Sequence, residues 1–459
     1  MVLVWYTTYY LARTEAAQPV PFAFGGEAEP VDYARAIADG ALLALIATLG
    51  LLQLGHETTP ELGQLFGVSL FMLALAWAPY RRWQPRLASV ASLLVMAGSG
   101  APAMAVALGL GGAIVCWRSS YAEVRRFVPW VLAAALAAAA LATALGAWRV
   151  RVGSLAPSDV LLIGRQWAWF LWPAWPLVLW TLWRWRRHLL HRHLSVPLVA
   201  VVVALAANIA MGGSDRALML ALPGMAVLAA FALPTLKRST SAAIDWFSIF
   251  FFSLCAITIW VIYAAMQTGV PAKPAANIAK LAPGFVPTFQ PVELVFALAG
   301  SLAWLWLVRW RSGRHREAVW KSLVLPAGGV ALCWLLLMSL WLPLLDYARS
   351  PRALVERLAV HVPRHACIAA PTLSLAGVAA LEVFGPYRVD ARRQAEQGPC
   401  NYLVLTQKPH APVTSRPGWA AIATIQRPTD RGEVTAIYRR QGATAETAGS
   451  AGSAAGSGR

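Results

Sequence analysis

Charge is what this sequence has least of. Only 13% of its 459 residues are Asp, Glu, Lys or Arg, about half of the roughly 25% found in soluble domains. So little charge excludes an ordinary water-soluble fold. Acid is scarcer than base, with 21 Asp and Glu against 39 Lys and Arg. Cysteine is rare as well, at five residues. No GxxxxGK[ST], HExxH or CxxC pattern occurs, so no residue pattern points to a bound nucleotide, zinc or haem.

What fills the space is apolar. Hydrophobic residues make up 58% of the chain and the mean hydropathy is +0.55, which indicates an integral membrane protein. Many of the 22 Trp sit at the ends of apolar runs, as in "WFLWPAWPLVLWTLWRW" (169–185), where an indole ring is buried and its N–H stays wet. The net charge of +18 does not signal nucleic acid. The basic residues fall in clusters between apolar runs, which is the positive-inside pattern. One cluster, "RWRRHLLHRH" (184–193), is suited to anionic lipid headgroups.

The runs predict eleven spans, near 41–55, 62–78, 87–99, 102–116, 127–147, 167–183, 196–211, 216–235, 245–267, 292–308 and 323–345. The break "GSGAP" (98–102) divides one long run into two. Alternate loops then hold 17 and 6 Lys and Arg, which puts the richer set in the cytoplasm and everything after residue 345 outside. The opening "MVLVWYTTYYLAR" is too short for a span of about 20 residues. It reads as a partial helix ending in the cytoplasm at Arg13.

The expected architecture is mainly α: a polytopic membrane domain (1–345), a small periplasmic α/β domain (346–441) and a disordered low-complexity tail (442–459). In the outer domain 367–370, 402–407, 420–426 and 434–440 read as strands, and 350–362 as a helix. Cys116, Cys255 and Cys333 lie in spans. Cys367 and Cys400 are the only two in the outer domain and form a candidate disulfide.

Candidate site residues lie at the outer rim, where ionisable groups in a membrane protein are costly and point to function. His56 and Glu57 in "HETT" could position a metal or a proton; the same stretch could instead cap the next helix through Thr58 or Thr59. Arg165, and Asp215 with Arg216 in "GGSDRALMLALPG", suit a lipid phosphate; snorkelling or a local Asp215–Arg216 contact is the plainer alternative. Lys273 and Lys280, in a Pro-rich external loop, could meet an anionic substrate; a simple solvated loop is the other reading. Asp346 reads as a cap for the segment after the last span.

Several stretches, in this order, resemble the GT-C superfamily of polyprenyl-phosphate-dependent glycosyltransferases. They are "GLLQLGHETTPELGQL", "WFLWPAWPLVLWTLW", "DRALMLALPGMAVLAA", "AAIDWFSIFFF", "LAPGFVPTF" and "LMSLWLPLLDYARS". Within that superfamily the chain is most similar to the lipid A aminoarabinose transferase and protein mannosyltransferase group (glycosyltransferase family 39-like). The resemblance implies a polyprenyl-phosphate-linked sugar donor, a lipid A or protein acceptor, and transfer at the periplasmic face of a bacterial inner membrane. It implies an external acid as general base and basic residues on the phosphate, with Arg216 matching the rim Arg before the family's Leu-Pro segment. It leaves a divalent metal open and implies no other cofactor. The family's acidic first periplasmic loop has no counterpart here, and "AGSGAPAM" (97–104) lacks the Lys of the family's Ser-Lys-Gly-type turn. The expectation is therefore an N-terminally shortened member whose catalytic acid is unassigned, with His56 and Glu57 as candidates. A lipid-linked sugar transporter or flippase, which calls for interrupted helices and midplane charges, and a non-catalytic scaffold remain as other readings.

Overall fold

The computed structural model describes residues 1–18, 29–148, 157–313, 319–392, 394–408, 416–427, 429–430 and 432–441. The expected disordered tail falls wholly outside these residues, and the loops 148–166 and 309–321 fall partly outside. The chain divides into two units, Met1–Thr258 with Leu294–Leu337, and Ile259–Glu293 with Met338–Arg459.

The first unit is helical. The opening stretch forms α1 (Val2–Ala12), which packs on α2 (Pro30–Ala47) and α4 (Pro60–Trp77), with the short α3 (Gly50–Leu54) between them. Then come α5 (Gln84–Gly98), α6 (Pro102–Trp117), α7 (Ala122–Arg125) and α8 (Val128–Ala144). They are followed by α9 (Pro157–Phe170), α10 (Ala174–Arg184), α11 (Arg192–Ala210), α12 (Asp215–Met219) and α13 (Leu222–Ala230). Three helices run across the division into units: α14 (Arg238–Thr268), α16 (Pro291–Ser312) and α17 (Val324–Leu340), with α15 (Ala272–Leu281) between the first two.

Among the described residues seven helical segments are long and apolar enough to cross a membrane: Pro60–Trp77, Ala122–Ala144, Arg192–Ala210, Asp215–Thr235, Arg238–Thr268, Pro291–Ser312 and Trp320–Leu340. This is a multi-pass membrane protein. The other four expected spans are also helical but shorter, interrupted or more charged. The first starts at Pro30 rather than 41, because Pro at the first helical position and Asp32 in the first turn favour a start there. It breaks at Thr48. The span expected at 167–183 is broken between α9 and α10, before Pro173. Large apolar side chains such as Leu110, Ile114, Leu132 and Leu136 face outward on α6 and α8, as lipid-facing surfaces require.

The centre of this unit is α13. Every residue from Leu218 to Leu233 is buried, and α2, α10 and α11 surround it. Close packing depends on small residues. A Cβ on Gly224 would lie 2.7 Å from the Pro197 carbonyl oxygen and 2.8 Å from Val201 Cγ2, so α11 and α13 approach as near as they do only because residue 224 has no side chain.

The second unit carries a five-stranded sheet of order β2-β1-β3-β5-β4, built from β1 (Cys367–Ala369), β2 (Arg388–Asp390), β3 (Tyr402–Gln407), β4 (Trp419–Ile425) and β5 (Val434–Arg440). β1 pairs in parallel with β2 and β3, and β5 runs antiparallel to β3 and β4. Two helices, α19 (Arg352–Ala359) and α20 (Leu375–Phe384), come after α18 (Leu342–Arg349). Val355, Leu358, Ile368, Val404 and Ile437 form part of the core. A disulfide joins Cys367 to Cys400, with Cα atoms 4.8 Å apart. Asp346 lies inside α18 and does not cap the segment after it; its carbonyl oxygen accepts from the Ser350 N–H at 2.7 Å.

Candidate functional site

One rim of the first unit gathers ionisable side chains from segments far apart in sequence. α4 starts at Pro60, with Glu61 in its first turn, where a carboxylate complements the positive helix end. Thr59 occupies the N-cap position, but its side chain makes no capping bond. Pro60 leaves no N–H to satisfy at the first helical position, and the alternative threonine cap is not formed. Glu57 precedes this turn, and Arg216 lies across from both carboxylates. Arg216 Nη2 is 3.3 Å from Glu57 Oε2 and Nη1 is 3.4 Å from Glu61 Oε2. The guanidinium fork is thus divided between two acids. The Arg216 side chain is 48% exposed, so such pairs are worth only about 0.2–1 kcal/mol each. Their value lies in placement rather than stability.

The turn ahead of Arg216 is pinned from below. Asn208, fully buried on α11, accepts from Trp167 Nε1 at 2.8 Å and donates to the Ser214 carbonyl at 2.9 Å and Gln166 Oε1 at 3.4 Å. Gln166 Nε2 donates to the Gly213 carbonyl at 2.8 Å and to Asp215 Oδ1. Gly213 has φ +88°, and a Cβ there would stand 3.1 Å from Ile163 Cγ1, so glycine meets both the backbone and the packing requirement. Ser214 then caps α12 by accepting from the Ala217 N–H. These bonds fix where Asp215 and Arg216 leave the buried helix.

The structure thus joins Glu57 with Arg216 and adds Glu61, Gln166 and Asn208. The local Asp215–Arg216 contact is replaced: Asp215 bonds Gln166 and Arg216 bonds the glutamates. His56 stacks on Trp334, ring centroids 5.5 Å apart, and accepts from its Nε1 at 3.1 Å. Arg165 lies within α9 and lines a cleft of about 340 Å³ with Asp159, Gln166 and Gly213. Lys273 and Lys280 lie on α15 in the second unit. Among the described residues no group of three or more His, Cys, Asp or Glu could hold a metal ion. Glu57 and Glu61 both face a guanidinium, which makes the pair a poor cation cradle.

In sequence, the chain matches no protein-family model and no curated protein. In structure it is similar to the crystal structure of ArnT from Cupriavidus metallidurans bound to undecaprenyl phosphate. The TM-score is 0.52 at 13% identity, over 95% of this chain and 82% of that one. The fold is that of this ArnT structure, a polytopic helical membrane part with a small C-terminal sheet. The same ArnT in its apo state gives a TM-score of 0.49 at 15% identity, over 95% and 81% of the two chains. Identity this low speaks for the fold alone, and the chemistry of the rim rests on its own geometry.

Proposed function

We propose that this chain is a membrane glycosyltransferase, moving a sugar from a polyprenyl-phosphate donor to a hydroxyl of a lipid or protein acceptor at the periplasmic face of the inner membrane. The observation that carries the reading is the Glu57–Arg216–Glu61 cluster at the lip of the most buried helix. Sugar transfer from a phosphate needs a base for the acceptor proton and a cation for the leaving phosphate. Both groups stand side by side here. The ArnT structure with undecaprenyl phosphate bound supports a lipid-linked donor, and the uneven loop charge supports the side of the membrane.

The chemistry balances with these residues. The acceptor O–H gives its proton to a glutamate as its oxygen bonds the sugar's anomeric carbon. The bond from that carbon to the phosphate oxygen breaks, and the electron pair leaves with the polyprenyl phosphate. Arg216 turns from the carboxylates to the phosphate as charge grows there. A lipid-linked sugar transporter would also show interrupted helices. Yet no ionisable side chain lies at the breaks near 48–49, 171–173 and 220–221, so the interruptions themselves offer no charged permeation site.

The test is turnover of a labelled polyprenyl-phosphate sugar by the full chain in liposomes. Arg216→Ala is expected to lower turnover by about 10²–10³ with its melting temperature nearly unchanged, because exposed pairs add little stability. Glu57→Gln and Glu61→Gln identify the base, whose loss costs about 10²–10⁴. Undiminished turnover in Arg216→Ala would remove the cluster from catalysis.

A further inference from the structure

The opposite end of the same helix bundle holds a second concentration of charge, with a single acid against it. α4 begins beside Glu61 and ends at Trp77, about 26 Å further along the axis. Beyond Trp77 lies a cup of about 390 Å³ lined by Tyr80, Arg81, Arg82, Arg86, Glu123 and Arg126. Four guanidiniums thus face one carboxylate. Among the described residues none of the four forms an ion pair. Arg86 Cζ lies over two rings, 4.8 Å from the Trp83 centroid and 4.6 Å from that of Trp130. A fifth cation, Arg13 at the end of α1, sits 5.3 Å over the Tyr80 ring.

Membrane topology accounts for arginines in this loop set, but it asks only for charge spread along the loops. It does not account for a concave cup onto which four arginines converge, one of them over two indole rings. Free guanidinium donors converging on one cavity match phosphate oxygens, which they engage bidentately. Trp83 and Trp130 are exposed beside the cup, as rings at headgroup level are. We propose that this cup is a binding site for a phosphate group presented at the membrane surface, the phosphodiester of an anionic phospholipid or a free phosphate. It is separate from the rim of Arg216.

The test titrates the detergent-solubilised full chain with phosphatidylglycerol and with phosphatidylcholine, with and without millimolar inorganic phosphate. Arg82→Gln/Arg126→Gln removes two cup cations. Lys237→Gln/Arg238→Gln removes two from another loop of the same basic set. The cup pair is expected to weaken phosphatidylglycerol binding by about thirtyfold, the effect of two interfacial cations, and the control pair by less than about threefold. Arg82→Lys/Arg126→Lys keeps the charge without the fork and is expected to fall between the two; it also checks the site if the glutamine pair folds poorly. Displacement of the lipid by inorganic phosphate assigns the cup to a free phosphate, and no displacement assigns it to the lipid. Equal losses in the two glutamine pairs, or no preference for either phosphatidylglycerol or phosphate, would overturn the site.

Discussion

The two ends of α4 use the same side chain in opposite ways. At one end Arg216 is shared by Glu57 and Glu61. At the other, Arg81, Arg82, Arg86 and Arg126 face a single acid, Glu123. A phosphate that takes the same Arg216 nitrogens displaces a carboxylate, which is then free to take a proton. A phosphate reaching the cup displaces nothing. On the proposed reading, balanced charge suits a site that exchanges its ligand on each turnover. Unbalanced charge suits a site that keeps one.

The two ends become most alike if the rim is stripped of its acids. Glu57→Gln/Glu61→Gln leaves Arg216 without its acids. Turnover is expected to fall at least about hundredfold, through loss of the base. Affinity for undecaprenyl phosphate is expected to rise by about tenfold, because two weak competing pairs are gone. Opposite movement of turnover and affinity is the signature. A fall in both would mean that the glutamates hold the arginine in place rather than compete for it.

A smaller effect is expected from loosening the pin beneath the rim. Asn208→Leu leaves the Trp167 N–H and the Ser214 carbonyl without their partner, at about 1–3 kcal/mol. The melting temperature should fall by a few degrees, and turnover by more than the stability loss explains, because Asp215 and Arg216 lose their fixed exit from α12. Lipid binding at the cup should not change. A parallel loss at both ends would mean general unfolding and not a local loss of position.

Much of the fold was legible in the sequence because burial in lipid writes itself as apolar runs. All eleven runs became helices, and the four strands expected after residue 345 formed. β2 and α20 were missed because three residues are too few to show alternation, and "LAGVAALEVF" offers little polar contrast. The start of α2 was hidden by Asp32, Arg35 and Asp39; Trp5 Nε1 donates to Asp39 at 2.8 Å, so the partner that keeps this acid inside the bundle comes from α1. At the rim, Glu57 and Arg216 were each readable as costly charges, but their meeting spans 159 residues and no local pattern records it. Glu61 lies in the same stretch as Glu57 and could have been found by its spacing. Gln166 and Asn208 could not, since a neutral amide in an apolar helix has no distinct signal until its partners are known. Lys280 was an equally visible charge, but α15 places it in the other unit.

The smallest expected effect concerns pH and separates the ends once more. His191 precedes α11 on the basic side, and its Nδ1 is buried without a partner. Burial, then the neighbouring His188, hold its pKa below the usual 6.5. The folded chain therefore favours neutral His191. As pH falls through about 6.5 the unfolded chain takes up a proton that the folded chain resists. Stability should be level above about pH 7, decline below 6.5, and level again once the folded form is protonated. Melting temperatures at pH 7.5 and 5.5 measure the decline, and His191→Gln should remove part of it, a shift of about a degree. Hydrogen exchange should locate that acid-sensitive loosening in 185–193 and leave the Asn208–Gln166 network unchanged. An equal acid response in wild type and His191→Gln would show that His191 stays protonatable in the fold, and that this end of the bundle is no more acid-sensitive than the rim.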